Sequence, residues 1–236
     1  MSNDVQPGNP GTDQSPATDQ PHRTGSGIFG VLAAIIAVLA TAAGIWFGVG
    51  SVENGTSPSQ PVTLTAGTFL PQPRVLEPFE LVDQDSKPLT SDTLKGRWTF
   101  IAIGYTHCPD VCPTTLATFN AIDGALKEGD RHPADFLFIS IDPERDPPER
   151  LAQYVRYFNP RFFGATGSDE ALQGLTKQLG ILYARVDDQD SAMGYLMDHS
   201  ASILLLDPDV RLAALFSPPH HSVKMAADFK TILERY

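Results

Sequence analysis

Basic residues and cysteines are both scarce in this sequence. It has 17 Lys and Arg against 28 Asp and Glu, which gives a formal net charge of −11, and it has no run of basic side chains. A protein with this balance offers no phosphate-binding face, so the composition excludes nucleic acid as a partner. Cysteine occurs only at Cys108 and Cys112. Any thiol chemistry is therefore confined to one short segment.

Long apolar runs are equally rare, and a single one, at residues 28–50, is long enough to cross a bilayer. It carries no charged side chain, and a helix of that length spans a hydrocarbon core of roughly 30 Å. Residues 1–27 are predicted to be a disordered tail and residues 51–74 a linker, because both are rich in Pro, Gly, Ser and Thr. The alternative is a cleaved signal peptide, with a cleavage site at residues 40–42. The long acidic leader favours an uncleaved transmembrane helix.

The few basic residues near this run predict its orientation. Arg23 is the only Lys or Arg before the run, and the next one is Arg74. The excess of positive charge on the cytoplasmic side of membrane helices then places the amino terminus in the cytoplasm. We therefore expect a single-pass inner-membrane protein with its carboxyl-terminal domain in the periplasm. That compartment is oxidising, so a reduced cysteine pair there needs a functional reason.

Residues 75–236 are predicted to form one α/β domain. Apolar runs predict strands at 79–82, 98–105, 135–141, 181–186, 202–206 and 211–216, and helical spacing predicts helices at 114–127, 147–158, 168–179 and 223–236. Asp146 is expected to cap the second helix, with Pro147 at its first position and Glu149 completing a capping box. Crossover helices early in the order and a hairpin late predict a mixed sheet flanked by helices.

The cysteine pair lies where open α/β sheets place their sites, between a central strand and the following helix. Two thiols four positions apart can face the same way and share a partner, which is either each other or a soft metal ion. A disulfide across so short a loop would stabilise the fold by only about 2 kcal/mol. A helix amino terminus favours thiolate. Two thiolates suit a soft ion such as Cu(I), for which an imidazole is the natural third ligand.

Six histidines could supply that imidazole: His22, His107, His132, His199, His220 and His221. The first lies in the predicted tail and the third in a polar loop, so both are expected on the surface. His107 adjoins Cys108 but could point elsewhere. The pair before the last helix could bind metal, although surface positions are commoner there. His199 lies in a loop entering the strand at 202–206, which can face the cysteine turn across the end of the sheet.

Three segments together closely resemble the Sco/SenC family: residues 104–113 (GYTHCPDVCP), 141–146 (IDPERD) and 198–200 (DHS). The resemblance covers roughly residues 75–236 and implies a thioredoxin-like fold tethered by one amino-terminal membrane helix. It implies copper, as Cu(I) or Cu(II), bound by Cys108, Cys112 and His199. It also implies a metallochaperone rather than an enzyme, one that helps to assemble the dinuclear CuA centre of cytochrome c oxidase. The partners would be the copper-bearing oxidase subunit and a copper donor or thiol reductant protein.

The alternative function is a thiol–disulfide oxidoreductase with Cys108 and Cys112 as its redox-active pair. Ordinary thioredoxin-like oxidoreductases, however, carry a CxxC pair and a proline before the facing strand. This chain has three residues between its cysteines and no proline at residues 198–201. Electron transfer fits less well, since a blue-copper site normally has two histidines and one cysteine.

Four further side chains near these motifs have two open interpretations each. Asp110 and Asp198 could orient ligands or tune their basicity, or they could be plain solvated carboxylates. Met193 and Met197 could offer thioethers to copper or fill apolar space.

Overall fold

The computed structural model describes residues 35–41, 63–129, 131–188 and 194–235. The chain divides into two units, residues 1–59 and 60–236. Within the first unit, residues 35–41 form an exposed helix, α1. None of the helices in the described ranges has the length and apolar character needed to cross a bilayer. The tail at 1–27 and most of the membrane span expected at 28–50 lie outside the described residues, as does about half of the linker expected at 51–74.

The second unit is built from ten strands, four helices and one 3₁₀ turn within its described residues. The strands are β1 (Thr68–Val75), β2 (Glu80–Asp83), β3 (Pro88–Thr90), β4 (Trp98–Gly104), β5 (Ala134–Ser140), β6 (Phe163–Thr166), β7 (Tyr183–Asp187), β8 (Tyr195–His199), β9 (Ile203–Leu206) and β10 (Arg211–Phe216). The helices are α2 (Val111–Leu126), α3 (Pro148–Phe158), α4 (Asp169–Leu179) and α5 (Ser222–Leu233), and the 3₁₀ turn is Ser91–Leu94.

Eight of these strands form one mixed sheet in the order β1-β10-β9-β4-β5-β6-β2-β3. The pairs β4–β5 and β5–β6 are parallel, whereas β9 runs antiparallel to both β4 and β10. Strands β7 and β8 form a separate antiparallel hairpin, in which Tyr183 pairs with His199. This arrangement confirms the mixed sheet with flanking helices that the sequence predicts.

An aromatic cluster fixes the two elements on either side of the cysteine turn. All seven residues of β4 are buried, and the Phe100 ring stacks on Phe136 of β5 with centroids 5.3 Å apart. Phe119 of α2 and Phe229 of α5 lie 6.4 and 5.3 Å from the same ring. Because the cluster packs α2 against the sheet, the end of β4 and the start of α2 have little freedom.

Several sequence expectations need correction. Strand β1 lies mostly within residues 51–74, which the composition assigns to a linker; it pairs only with β10 at the sheet edge, where proline is tolerated. Strands β3, β6 and β8 were not predicted at all. The first two have three and four residues, too short for periodicity to register.

Asp146 does not cap a helix. Helix α3 begins at Pro148, Pro147 occupies the cap position, and no side chain caps it. The buried Asp146 carboxylate instead accepts hydrogen bonds from the Thr106 backbone N–H at 2.7 Å, the Thr106 hydroxyl at 2.5 Å and the Ser140 hydroxyl at 2.5 Å. It thereby joins the end of β5 to the segment that precedes the cysteines.

Candidate metal centre

The two cysteines lie on the connection from β4 to α2. The backbone N–H of Cys108 donates to the carbonyl of Tyr105 at 3.3 Å, and this turn leads into α2. Cys112 lies in the first turn of α2, and its backbone N–H points at Sγ of Cys108 at 3.5 Å. Both side chains are buried and are free thiols. The turn therefore places both sulfurs on the same side, as their spacing predicts.

Gly104, the last residue of β4, makes room for one of these sulfurs. A Cβ atom at this position would lie 2.5 Å from Sγ of Cys112 and 2.9 Å from the Phe138 ring. Both distances are well below van der Waals contact, so a side chain here would displace the sulfur or the ring. Sequence reasoning did not single this residue out, although a glycine ending an otherwise bulky apolar strand marks a close approach of another group.

His199 is the histidine that reaches the sulfurs. Its Nε2 lies 3.6 Å from Sγ of Cys112, and Nε2 and the two Sγ atoms all lie within 4.8 Å of one another. His199 is the last residue of β8 rather than part of a loop, which corrects the expected location. Its Nδ1 lies 3.2 Å from the carbonyl oxygen of Ser200. Because a carbonyl only accepts, Nδ1 carries a proton, so Nε2 faces the sulfurs with a lone pair when the ring is neutral and with an N–H donor when the ring is protonated.

The two thiols have opposite acidities. A hydrogen bond from Cys112 lowers the pKa of Cys108 to about 3, and donors from His199 and the backbone add to this effect against the opposing effect of burial. Donating that hydrogen bond raises the pKa of Cys112, as do burial and the negative charge on Cys108. The two shifts together favour a thiolate on Cys108 and a retained proton on Cys112.

The negative charge on Cys108 also affects the pKa of the His199 imidazole. Burial alone would lower the pKa of His199, but the interaction with the negative charge on Cys108 and the carbonyl of Ser200 raise it. Sγ of Cys112 is the sulfur within hydrogen-bonding distance of Nε2, whereas the thiolate charge lies on Cys108, so the ring interacts with both. A metal ion here would displace the Cys112 proton and use the Nε2 lone pair.

Cys108 and His199 line a cleft of about 450 Å³. Asp110 and Asp198 also line the cleft with their side chains exposed, and Val111 and Val186 form an exposed apolar part of the rim. Met197 is buried in the apolar core and also borders this cleft. Met193 lies outside the described residues.

Three other histidines are not part of this group. Nδ1 of His107 lies 3.4 Å from Asp146 Oδ1. His132 and His220 are not the surface residues expected: Nδ1 of His132 lies 2.8 Å from Asp123 Oδ1, and Nε2 of His220 lies 2.8 Å from the carbonyl oxygen of Ala201. Their partners come from other segments, which local sequence does not reveal.

His221 is exposed, as expected, and His22 lies outside the described residues. Within the described part of the chain, Cys108, Cys112 and His199 are the one group of at least three potential ligands close enough to share an ion.

A second feature that the sequence analysis missed is the alternation along β8. Tyr195 and Met197 are buried, and the residues between and after them are more exposed, so Tyr195, Met197 and His199 share one face of the strand. The sequence itself does not alternate, because residues 195–197 are all apolar and residues 198–199 are both polar, so this period of two appears only in the burial. It also links the position of His199 to that of Tyr195.

Comparison with known proteins agrees with this geometry. A family model described as SCO1/SenC matches residues 69–234. A SCO2-like protein of Rickettsia prowazekii is 35% identical over 169 residues, which cover 70% of this chain and 81% of that protein.

Solved structures are similar as well. ScoI of Arabidopsis thaliana with copper bound has 31% identity and a TM-score of 0.65, covering 69% of this chain and 99% of that one. ScoI of Bradyrhizobium japonicum with copper bound has 36% identity and a TM-score of 0.59, covering 66% and 98%. The thioredoxin-like α/β fold is thereby confirmed. With a family model matching most of its length, the chain belongs to the Sco/SenC family.

Proposed function

We propose that this protein binds copper through Cys108, Cys112 and His199 and holds it for insertion into the CuA centre of cytochrome c oxidase. The observation that carries the proposal is the convergence of two sulfurs and one imidazole nitrogen within 4.8 Å. The copper-bound structures of the Arabidopsis and Bradyrhizobium relatives support the choice of metal.

The chemistry of the donor set also favours copper. Two thiolates and one imidazole are soft or borderline ligands, which suit Cu(I) and disfavour Mg²⁺ or Ca²⁺. The lowered pKa of Cys108 favours a thiolate ligand, and a metal ion that binds Cys112 takes the place of the proton that its raised pKa favours. The thiols must be reduced to act as ligands, so their redox state decides whether the protein can hold its cargo.

The open cleft supports a role in delivery rather than permanent storage. Cys108 and His199 line it, so a donor ligand from a client can approach the site from solvent. The exposed apolar side chains of Val111 and Val186 offer such a client an apolar contact surface beside the site. We propose the copper-bearing subunit of the oxidase as the client, with a separate protein as copper donor or thiol reductant.

A thiol–disulfide oxidoreductase is the second candidate, and the observation that favours it is a pair of free cysteines whose Sγ atoms lie within 4.8 Å of each other, with the pKa of Cys108 lowered and that of Cys112 raised. A thiolate at Cys108 beside a protonated Cys112 is the arrangement that attacks a client disulfide and then resolves the mixed disulfide. This chemistry does not use the imidazole as a ligand, so His199 separates the two candidates.

We further propose that residues 28–50 anchor the protein in the inner membrane and that the domain works on the periplasmic side. The uncharged apolar run and the position of Arg23 support this location. The oxidase client would then lie on the same membrane.

Copper retention by the purified, reduced full chain tests the proposal. After anaerobic loading with Cu(I) and desalting, the wild type is expected to retain a single copper ion. His199→Ala and Cys112→Ser are expected to bind at least about tenfold more weakly, because each removes a ligand. His221→Ala is the matched control, since that side chain is exposed, and it should bind as the wild type does.

Two results would count against the proposal. A wild-type chain that retains no copper but exchanges with a small disulfide as well as His199→Ala does would support the oxidoreductase instead. Equal copper retention by wild type and His199→Ala would remove the imidazole from the ligand set. Far-ultraviolet circular dichroism confirms that each variant is folded.

A further inference from the structure

The hairpin that carries His199 stands apart from the main sheet. Strands β7 and β8 pair with each other and with no strand of the eight-stranded sheet in the described part of the chain. The cysteines, in contrast, belong to the buried β4–α2 connection. The distance from the imidazole to the sulfurs therefore depends on whatever holds this hairpin to the body of the domain.

Tyr195 makes one such attachment at the start of β8. It is buried, and it lies on the same face as His199. Its hydroxyl donates a hydrogen bond to Oδ1 of Asp142 at 2.8 Å and lies 3.4 Å from Oε2 of Glu144. Asp142 lies two residues after the end of β5, so this contact joins the hairpin to the carboxyl end of a central strand.

Arg145 makes the attachment rigid. Its Nε donates to Asp142, and its Nη1 donates to the backbone carbonyl of Tyr195 at 3.0 Å. Its guanidinium carbon lies 3.5 Å from the centroid of the Tyr195 ring, and that of Arg185 lies 3.6 Å from the same centroid. Two guanidinium groups this close cannot share one face, so the ring lies between them. Such stacking is favourable and strongest when desolvated, and the Arg145 side chain is only 8% exposed.

Arg145 also reaches the other side of the metal centre. Its guanidinium carbon lies 5.5 Å from the centroid of the Tyr105 ring. That ring meets the His199 ring edge-on at a centroid distance of 6.3 Å. Tyr105 lies on the segment between β4 and Cys108, so one buried arginine contacts both the hairpin with the imidazole and the segment leading to the sulfurs.

We infer that Arg145, acting through Tyr195 and Asp142, is a positioning residue that holds His199 at its distance from Cys108 and Cys112. This inference rests on the proposed copper-binding function. When the attachment is intact, the hairpin keeps the three ligands assembled. When it is broken, only a fraction of the molecules have the imidazole in place, and copper affinity falls by that fraction.

Two conservative variants of the full chain test this inference. Tyr195→Phe removes only the hydroxyl that bonds Asp142, and Arg145→Lys keeps the charge but loses the planar group that stacks and donates twice. The matched controls are Tyr157→Phe, an 84% exposed tyrosine, and Arg156→Lys, which pairs with Asp85 on the surface.

The primary readout is amide hydrogen exchange without copper. In Tyr195→Phe and Arg145→Lys, exchange of the β7 and β8 amides should accelerate roughly 10- to 150-fold, the factor that corresponds to losing one hydrogen bond to a charged group. The amides of β4 and β5 should exchange as in the wild type. The second readout is Cu(I) affinity by competition with a chromophoric chelator, which should weaken by roughly 10- to 100-fold, as for other residues that orient a ligand. Neither control should change either readout.

The outcomes separate the inference from the proposed function. Unchanged exchange in the hairpin, or equal acceleration in β4 and β5, would overturn the positioning role. Accelerated hairpin exchange with wild-type copper affinity would overturn it too, because the attachment would then not govern the site. Failure of the wild-type chain itself to bind Cu(I) would instead overturn the proposed function, and that result does not depend on the variants.

Discussion

At the scale of single residues, the centre depends on how closely other atoms approach one sulfur. Nε2 of His199 lies 3.6 Å from Sγ of Cys112. This sulfur fits where it is because residue 104 is a glycine, whose missing side chain leaves room for it. Burial and the Cys108 thiolate keep the Cys112 proton in place until a metal replaces it. Small changes in the position of this sulfur should therefore affect both stability and binding.

Gly104→Ala tests this close packing. The new Cβ would overlap Sγ of Cys112 and the Phe138 ring, which should lower the free energy of unfolding by about 1–3 kcal/mol in a urea titration. Gly124→Ala is the control, because that glycine is exposed within α2 and a Cβ there meets nothing within 4 Å. It should raise stability by about 1 kcal/mol or less through helix propensity. Equal midpoints for Gly104→Ala and wild type would contradict the described packing.

At the scale of elements, short sequence patterns such as capping residues and apolar runs predicted the bounds of several helices and strands correctly. The hydroxyl of Ser168 accepts from the Ala171 N–H, and Gly180 ends α4 with a φ of 73°, so this helix has the bounds that its helical spacing predicts. The buried strand before the cysteines, the helix after them and the β9–β10 hairpin also formed as predicted. In each case the information lies within a few neighbouring residues.

Elements and contacts that depend on distant residues were not predictable in the same way. The side chain of Asp146 fits a capping signature locally, yet it turns inward because Thr106, 40 residues away, supplies two donors. The residues of β8 suggest a loop, because the strand that pairs with it in the described part of the chain is itself short and exposed. The sequence placed the sulfurs together by their spacing alone.

His199, the proposed third ligand, also depends on contacts between residues that are distant in the sequence. Spacing and chemistry required an imidazole but left several histidines open, and the family resemblance selected His199. The fold brings it to Cys112 across 87 residues of sequence. A contact of that range depends on strand pairing and on side chains such as Arg145, neither of which has a local signature.

At the scale of the whole molecule, the domain at residues 60–236 is one compact unit, and the proposed anchor lies in the other. Ile36 and Leu39 lie within that anchor segment on α1. In cells producing the full chain, the protein should stay in the membrane fraction after a carbonate wash. The double variant Ile36→Arg, Leu39→Arg should reduce this retention, because each charge costs about 2.5–3.5 kcal/mol of insertion free energy. Wild-type protein released by the wash would contradict the anchor.

The central claim is that two sulfurs and one imidazole nitrogen share a copper ion. Copper K-edge X-ray absorption of the reduced, Cu(I)-loaded full chain measures this directly. We expect two sulfur scatterers and one nitrogen scatterer in the wild type, with the nitrogen contribution lost in His199→Ala. A wild-type spectrum fitted by sulfur alone, or one that His199→Ala leaves unchanged, would contradict the account.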